Sequence, residues 1–324
     1  MSIKRIIIPV LVIYAIIVSS CSPYPRESER MEAALKQADS VYREGENDTA
    51  MFIPGLAEAS SYFAEKKQYE NAALAALYNG YAEKDYDKAE AMESFKKAEH
   101  YGEIAHDSLT MARAQYQMGR MFYDDYMQTA ALDLFKNAFA EFGQHYSERA
   151  LTTNMMACCF MILKEFDSAA YYFEQSLHYA DLGHSNITKR KALNNFAVLH
   201  QLRGKYDDAI ECLRLVNPEN EEQRLLNYLN LGDIFMASGN LDSARYYYEN
   251  LEELLDKAKV EKGETKFSVY RSLSNYAERN GDLKTAIDFK NEYEALIFDI
   301  LNQEIKDVLT ASSRNTIMKL CKTL

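Results

Sequence analysis

The sequence predicts an all-α fold, a right-handed α-solenoid built from repeated helical hairpins. One spacing of small and aromatic residues recurs along the chain, and its clearest copy has Gly232, Ala244 and Tyr248. The 324 residues include only 12 Gly and 5 Pro, as expected for a chain with few breaks in its helices. No run of alternating apolar and polar residues bounded by turn signals indicates a strand.

The repeated spacing has a simple packing reason. Small residues let the two helices of a hairpin approach closely, and the aromatic residue fills the space beside them. An earlier hairpin keeps only its second half, at Ala91, Phe95 and Ala98, and its first half around residues 74–78 is one residue out of step. The other copies are Gly119, Ala131 and Phe135; Ala157, Ala169 and Phe173; Ala197, Ala209 and Leu213; and, more loosely, Ser274, Ala286 and Lys290.

The turns between the paired helices carry the expected stop and start residues. Gly204, Gly239 and Gly281 suit the left-handed position that ends a helix. Asn240 and Asp282 follow at positions where a side-chain oxygen can accept from the free N–H groups of the next helix.

These hairpins resemble tetratricopeptide repeats (TPRs) over about residues 70–290. The second small residues are 38, 40, 35 and 42 positions apart, more than the roughly 34 residues of this repeat, so we expect longer helices or loops. Residues 31–69 are predicted to form a degenerate N-terminal hairpin. Residues 291–324 are predicted to form a long C-terminal capping helix followed by a poorly ordered tail, and the alternative for this helix is the start of a coiled coil.

The N-terminus has the pattern of a targeting segment. Lys4 and Arg5 precede a 13-residue apolar run at 6–18, which spans about 20 Å as a helix and is too short to cross a bilayer. The small residues before Cys21 resemble a bacterial lipobox. The resemblance implies a TPR lipoprotein with a signal peptide at 1–20, acylation of Cys21 and a tether at 21–30. It also implies a lipid-anchored location in the cell envelope, on the periplasmic face of an outer membrane; the alternative is an ordinary secretory signal with an incidental cysteine.

The net charge and the absence of catalytic motifs argue against several classes of function. The net charge is −12, which argues against nucleic acid or anionic lipid headgroups as the main partner. Cys158 and Cys159 are adjacent in a helix and lack metal-ligand spacing. We find no nucleophile, phosphate-loop or metal motif, so no enzymatic activity, cofactor or metal is expected.

A candidate ligand site lies on the first helices of the hairpins, which line the inner face of a TPR array. Residues 192–197 resemble kinesin-light-chain-type repeats, which implies that inward asparagines hold the backbone of an extended peptide. An asparagine amide can donate and accept at once; the alternative is that these residues bond neighbouring helices. The candidates are Asn154, Lys191, Asn194, Asn195, Asn230, Asp233, Arg271 and Asn275.

The expected function is therefore a membrane-anchored scaffold that binds a protein or peptide partner. Two alternatives stay open: a sensor module of an envelope signalling system, and an accessory lipoprotein for outer-membrane assembly or glycan uptake.

Overall fold

The computed structural model describes residues 27–42, 53–260 and 263–323. Over these residues the secondary structure consists of fifteen α-helices without strands, which confirms the predicted all-α solenoid. The predicted signal peptide and Cys21 lie outside the described residues. The chain divides at Ala114 into two compact units, residues 1–114 and 115–324.

The first helix of the first unit begins earlier than the sequence indicated. The first helix begins at Glu27, where the sequence suggested a start near Met31. Four helices lie in this unit, and a fifth begins in it: α1 Glu27–Tyr42, α2 Leu56–Glu65, α3 Tyr69–Glu83, α4 Lys88–Ala105 and α5 Ser108–Asp124.

The second unit continues the hairpins after the end of α5. Its helices are α6 Gln128–Glu141, α7 Tyr146–Ile162, α8 Phe166–Leu182, α9 Asn186–Leu202, α10 Tyr206–Leu215, α11 Glu221–Ala237, α12 Leu241–Glu249, α13 Leu251–Ala258, α14 Gly263–Arg279 and α15 Leu283–Thr323.

The small-to-aromatic contact is present in both units. An ideal Cβ on Gly119 would lie 2.7 Å from Cε1 of Phe135, and one on Gly232 would lie 3.0 Å from the same atom of Tyr248. In the first unit the equivalent contact joins Gly80 to Phe95. Gly80 is the missing small residue of the early hairpin, displaced by one position from the regular spacing.

A serine replaces the aromatic contact where the pattern is loosest. The hydroxyl of Ser274 on α14 donates to the carbonyl of Ala286 on α15, at 2.8 Å. Ser60 donates to the carbonyl of Ala72 at 3.0 Å in the same way, between α2 and α3. A buried hydroxyl close to the neighbouring backbone thus closes a hairpin that lacks a large side chain.

The long repeat spacings have visible causes. Several helices contain 17 residues, among them α7, α8 and α9. The second helix of the α11 hairpin is interrupted at Asn250, and the extra helix α13 follows before α14 begins. At the C-terminus α15 continues to Thr323, over the residues for which an unordered tail was expected.

Glycines and caps set the turns. Gly204 has φ +71° and Gly239 has φ +81°, the left-handed conformation that ends a helix at low cost. The Asn240 side chain then accepts from the N–H of Ser243 at 3.1 Å and caps α12.

None of the helices in the described part of the chain combines the length and the apolar character needed to cross a membrane.

Candidate functional site

The candidate site lies on first helices of the second unit. α7 packs against α9, and α11 packs against α14, so the two first helices lie side by side in each of these pairs. On α9, Lys191, Asn194, Val198 and Leu202 follow one another at helical spacing and share one side of the helix. Val198 is 43% exposed and Leu202 is 59% exposed, so this side is open to solvent.

The corresponding residues of α11 and α14 extend this surface. Leu226 and Asn230 lie one turn apart on α11, and both are at least partly accessible. Arg271 and Asn275 lie one turn apart on α14 and are exposed. We call this surface the first-helix face; it consists of Lys191, Asn194, Val198, Leu202, Leu226, Asn230, Arg271 and Asn275.

Two of the predicted asparagines are bonded to each other. The amide of Asn195 donates to Oδ1 of Asn154 at 3.2 Å and to Sγ of Cys158 at 3.4 Å. Asn154 is buried. This pair joins α9 to α7, which is the structural role that the sequence had left open for these asparagines.

Asp233 is used for packing three helices together. Its Oδ1 accepts from the hydroxyl of Tyr248 on α12 at 2.6 Å, and its Oδ2 accepts from Ser272 on α14 at 3.1 Å. Burial raises the pKa of Asp233, whereas the two hydrogen bonds and the charge of Arg271 act in the opposite direction. Burial and the adjacent carboxylate raise the pKa of Tyr248, so its hydroxyl remains a donor.

Four of the predicted residues keep polar groups without a partner. Lys191, Asn194, Asn230 and Asn275 form no hydrogen bond or ion pair within the described residues. The side-chain oxygen of Asn194 is buried and unpaired. A buried acceptor that is left unsatisfied costs about 1–3 kcal/mol, so a donor that reached the Asn194 oxygen would be stabilising.

The structure adds one residue that the sequence analysis missed. Asn227 lies three positions before Asn230 on α11, and its side-chain oxygen is also buried and unpaired. The one signal in the sequence was a second asparagine one turn away from a candidate. Arg271 has its guanidinium 5.3 Å from the ring centre of Phe267, which holds the cation at the edge of the face.

The described residues outside this face offer little reactive chemistry. Burial raises the pKa of Cys158 and of Cys159 to about 12, and that of Cys212 to about 11. Thiols with such pKa values remain protonated at neutral pH and are weak nucleophiles. No three His, Cys, Asp or Glu side chains of the described residues come together as metal ligands.

Comparisons with known proteins support the fold. No protein-family model matches the chain. It is 21% identical over 254 residues to Regulatory protein RapG of Bacillus subtilis; this match covers 75% of the chain but only 64% of RapG.

Two solved structures share the architecture over almost the whole chain. Aspartyl phosphate phosphatase F from Bacillus subtilis has a TM-score of 0.58 at 19% identity, covering 96% of this chain and 88% of that one. A Rap protein complexed with Competence and Sporulation Factor has a TM-score of 0.58 at 12% identity, covering 96% and 92%. The chain therefore has a TPR-like helical-repeat fold.

The predicted location is corrected by these comparisons. The sequence suggested a lipoprotein of the outer membrane that faces the periplasm. The Rap proteins are cytoplasmic or secreted regulators in Bacillus, and their location contradicts that prediction. Acylation of Cys21 stays a prediction, because residues 1–26 lie outside those described.

Proposed function

We propose that this chain is a protein-interaction scaffold that binds an extended peptide segment of a partner along the first-helix face. One observation carries the proposal: Lys191, Asn194, Asn230 and Asn275 lie on successive first helices, and none of them has a hydrogen-bond or ion-pair partner among the described residues. Their side chains are therefore available to an external ligand, and the oxygen of Asn194 is buried without a partner among the described residues, which is unusual for a buried polar atom.

The chemistry of the face fits a peptide backbone. Each residue of an extended peptide presents an N–H donor and a C=O acceptor, and an asparagine amide can satisfy both. Asn194 and Asn230 supply such amides on first helices that follow one another in the chain, and neither is hydrogen-bonded within the described residues. Recognition of the peptide backbone would bind an extended segment with little dependence on its side chains.

Flanking residues would add selectivity. Val198 and Leu202 lie further along α9 and expose apolar surface for a side chain of the peptide. Lys191 and Arg271 are exposed cations on the same face of a chain with net charge −12. They favour a segment with an acidic residue or a free carboxylate.

A regulatory role is the second candidate. It is favoured by the resemblance over most of the chain to a protein named a regulatory protein, and by a Rap protein of the same fold complexed with a factor. In this role the bound peptide would change how another surface of the chain engages a partner. Hydrogen exchange across α10–α15, measured with and without bound peptide, would separate this role from simple scaffolding.

The test of the proposed function is a selection followed by a titration. Purified protein would be screened on an array of random peptides, and selected peptides measured by fluorescence anisotropy. Asn194→Ala/Asn230→Ala is expected to weaken binding about tenfold or more, since each lost hydrogen bond costs about 0.5–1.5 kcal/mol.

The matched control is Asn137→Ala/Asn280→Ala, which removes two exposed asparagines away from the first-helix face. It should bind as wild type does. Equal affinity of both double variants, or the absence of any selected peptide, would refute the proposed site.

A further inference from the structure

One arginine beside the first-helix face has a hydrogen-bond donor without an acceptor. Arg190 lies on α9, directly before Lys191 and one turn before Asn194, and its side chain is only 16% exposed. Its Nη1 is buried and forms no hydrogen bond among the described residues. Buried polar groups normally have a partner, and leaving a charged one unpaired costs more than leaving a neutral one unpaired. Arg190 can therefore accept an anion that supplies the missing acceptor.

The anion that faces Arg190 within the chain is the carboxylate of Glu219, in the connection between α10 and α11. Its Oε2 lies 3.8 Å from Nη1 of Arg190, about 1 Å longer than a charge-assisted hydrogen bond between these groups. The Glu219 side chain is 49% exposed, and ion pairs with solvent-exposed partners contribute little to stability. This contact is therefore a weak one.

The backbone of Glu219 is fixed separately from its carboxylate. The N–H of Glu219 donates to Oε1 of Gln223 on α11, at 2.8 Å. Because this bond holds the main chain, the half-exposed side chain can rotate into solvent while the connection keeps its position. The place beside Arg190 can thus be vacated at low cost.

The same turn of α9 presents further groups without partners. Asn194 follows Arg190 by four residues, about 6 Å along the helix axis, and its oxygen is buried and unpaired. Lys191 is exposed and forms no ion pair among the described residues. A ligand residue could therefore place a carboxylate on Arg190 while a neighbouring peptide N–H donates to Asn194.

The contact with Glu219 also indicates which anion suits this place. A planar guanidinium matches a carboxylate, and the two can form parallel hydrogen bonds. A carboxylate of the ligand that approached to about 2.8 Å would form the bond that Glu219 leaves unformed. A peptide segment can supply this group as an Asp or Glu side chain or as its own C-terminal carboxylate.

We propose that Arg190 binds a carboxylate of the ligand segment, and that Glu219 occupies this place in the free chain and is displaced when the segment binds. This inference rests on the proposed function, since it needs a segment that lies along the first-helix face. Displacement removes the long contact with Glu219 and forms a shorter, charge-assisted one. Arg190 thereby makes the site selective for acidic segments, and Glu219 weakens their binding.

Peptide variants test the carboxylate. The probe is the tightest-binding peptide selected from the random array, made also with an amidated C-terminus and with Asn or Gln in place of Asp or Glu. Wild-type protein should lose about tenfold or more in affinity for one of these two forms, since a hydrogen bond to a charged group is lost. Loss on amidation identifies the C-terminus as the source, and loss on Asn or Gln substitution identifies an acidic side chain.

Protein variants test the two residues in opposite directions. Arg190→Gln should weaken the parent peptide about tenfold or more and leave the affinity for its carboxylate-free form unchanged. Glu219→Gln should strengthen the parent peptide about twofold to fivefold, the strength of an exposed ion pair. Arg190→Gln/Glu219→Gln should bind as Arg190→Gln does, because Glu219 has nothing to compete for once Arg190 is absent.

The matched controls are Arg214→Gln and Glu211→Gln, which remove one exposed charge of each sign from α10 and should bind as wild type does. If wild-type protein binds no peptide at all, the proposed function itself fails. If peptides bind with equal affinity in their carboxylate-free forms, or if Arg190→Gln keeps the preference, the proposed function stands and this inference is overturned. Weaker binding by Glu219→Gln would overturn the displacement of Glu219.

Discussion

Replacing Gly119 by alanine tests the packing rule on which the hairpins depend. An added Cβ would lie 2.7 Å from Cε1 and 2.9 Å from Cδ1 of Phe135, whose ring is fully buried. Carbon atoms pack best at about 3.5–4.0 Å, so the ring or the helix would have to move by close to 1 Å.

Two opposing effects determine the magnitude. Alanine favours a helix over glycine by about 0.5–1 kcal/mol. Overpacking a well-filled core costs about 1–3 kcal/mol. The expected net result is a loss of about 1–2 kcal/mol in the free energy of unfolding.

The assay is urea unfolding followed by circular dichroism. Gly119→Ala is measured both in the wild-type chain and in a chain that carries Phe135→Leu. In Phe135→Leu the ring is absent, and the same Gly119→Ala change should be neutral or stabilising, because only the helix preference remains. A Gly119→Ala variant that is more stable than wild type, with Phe135 in place, would refute the close-packing explanation.

Two further predictions concern buried polar groups. Burial raises the pKa of Asp233 above its usual 3.8, so the group stabilises the fold most at low pH, and this contribution is lost as the pH rises through the folded-state pKa. Asp233→Asn should therefore gain stability relative to wild type as the pH rises above about 4 in paired urea titrations, and a difference that does not change with pH would contradict this. Arg149 has its guanidinium 4.1 Å from the ring centre of Phe139 and 4.5 Å from that of Tyr179. Its guanidinium also donates to the carbonyl of Gly143 and to the hydroxyl of Tyr179, each at 3.0 Å. Arg149→Lys should lower the unfolding free energy by about 1–2 kcal/mol through loss of this stacking and these hydrogen bonds, whereas the exposed control Arg214→Lys should change the unfolding midpoint little.

The repeat register could be predicted because it depends on local geometry. A small residue and an aromatic residue at fixed spacing meet whenever two short helices form a hairpin, as Gly232 and Tyr248 do. The sequence pattern did not predict the role of Gly80, because a one-residue shift breaks the spacing without breaking the contact with Phe95.

The candidate site could be predicted only in part. Helical periodicity determines which residues share a side, and it groups Lys191 and Asn194 on one side of α9; that this side binds a ligand stays a prediction. The sequence did not separate Asn195, whose amide donates to Asn154, from Asn194, which has no hydrogen bond among the described residues. Asn194 and Asn195 are adjacent in the chain, and the packing of α9 against α7 decides which of them contacts α7.

The amino-acid sequence alone determined the all-α class, the helical hairpins and the small residues that close them, because these follow from helical periodicity, turn residues and side-chain size. Only the tertiary structure decided that Asp233 joins Tyr248 and Ser272 instead of facing a ligand. It also decided that α15 continues past α14 with Phe298 and Leu301 uncovered. Both features depend on contacts between residues that are far apart in the chain. The rotation of each packed helix and its length decide which residues meet, and local residue spacing specifies neither.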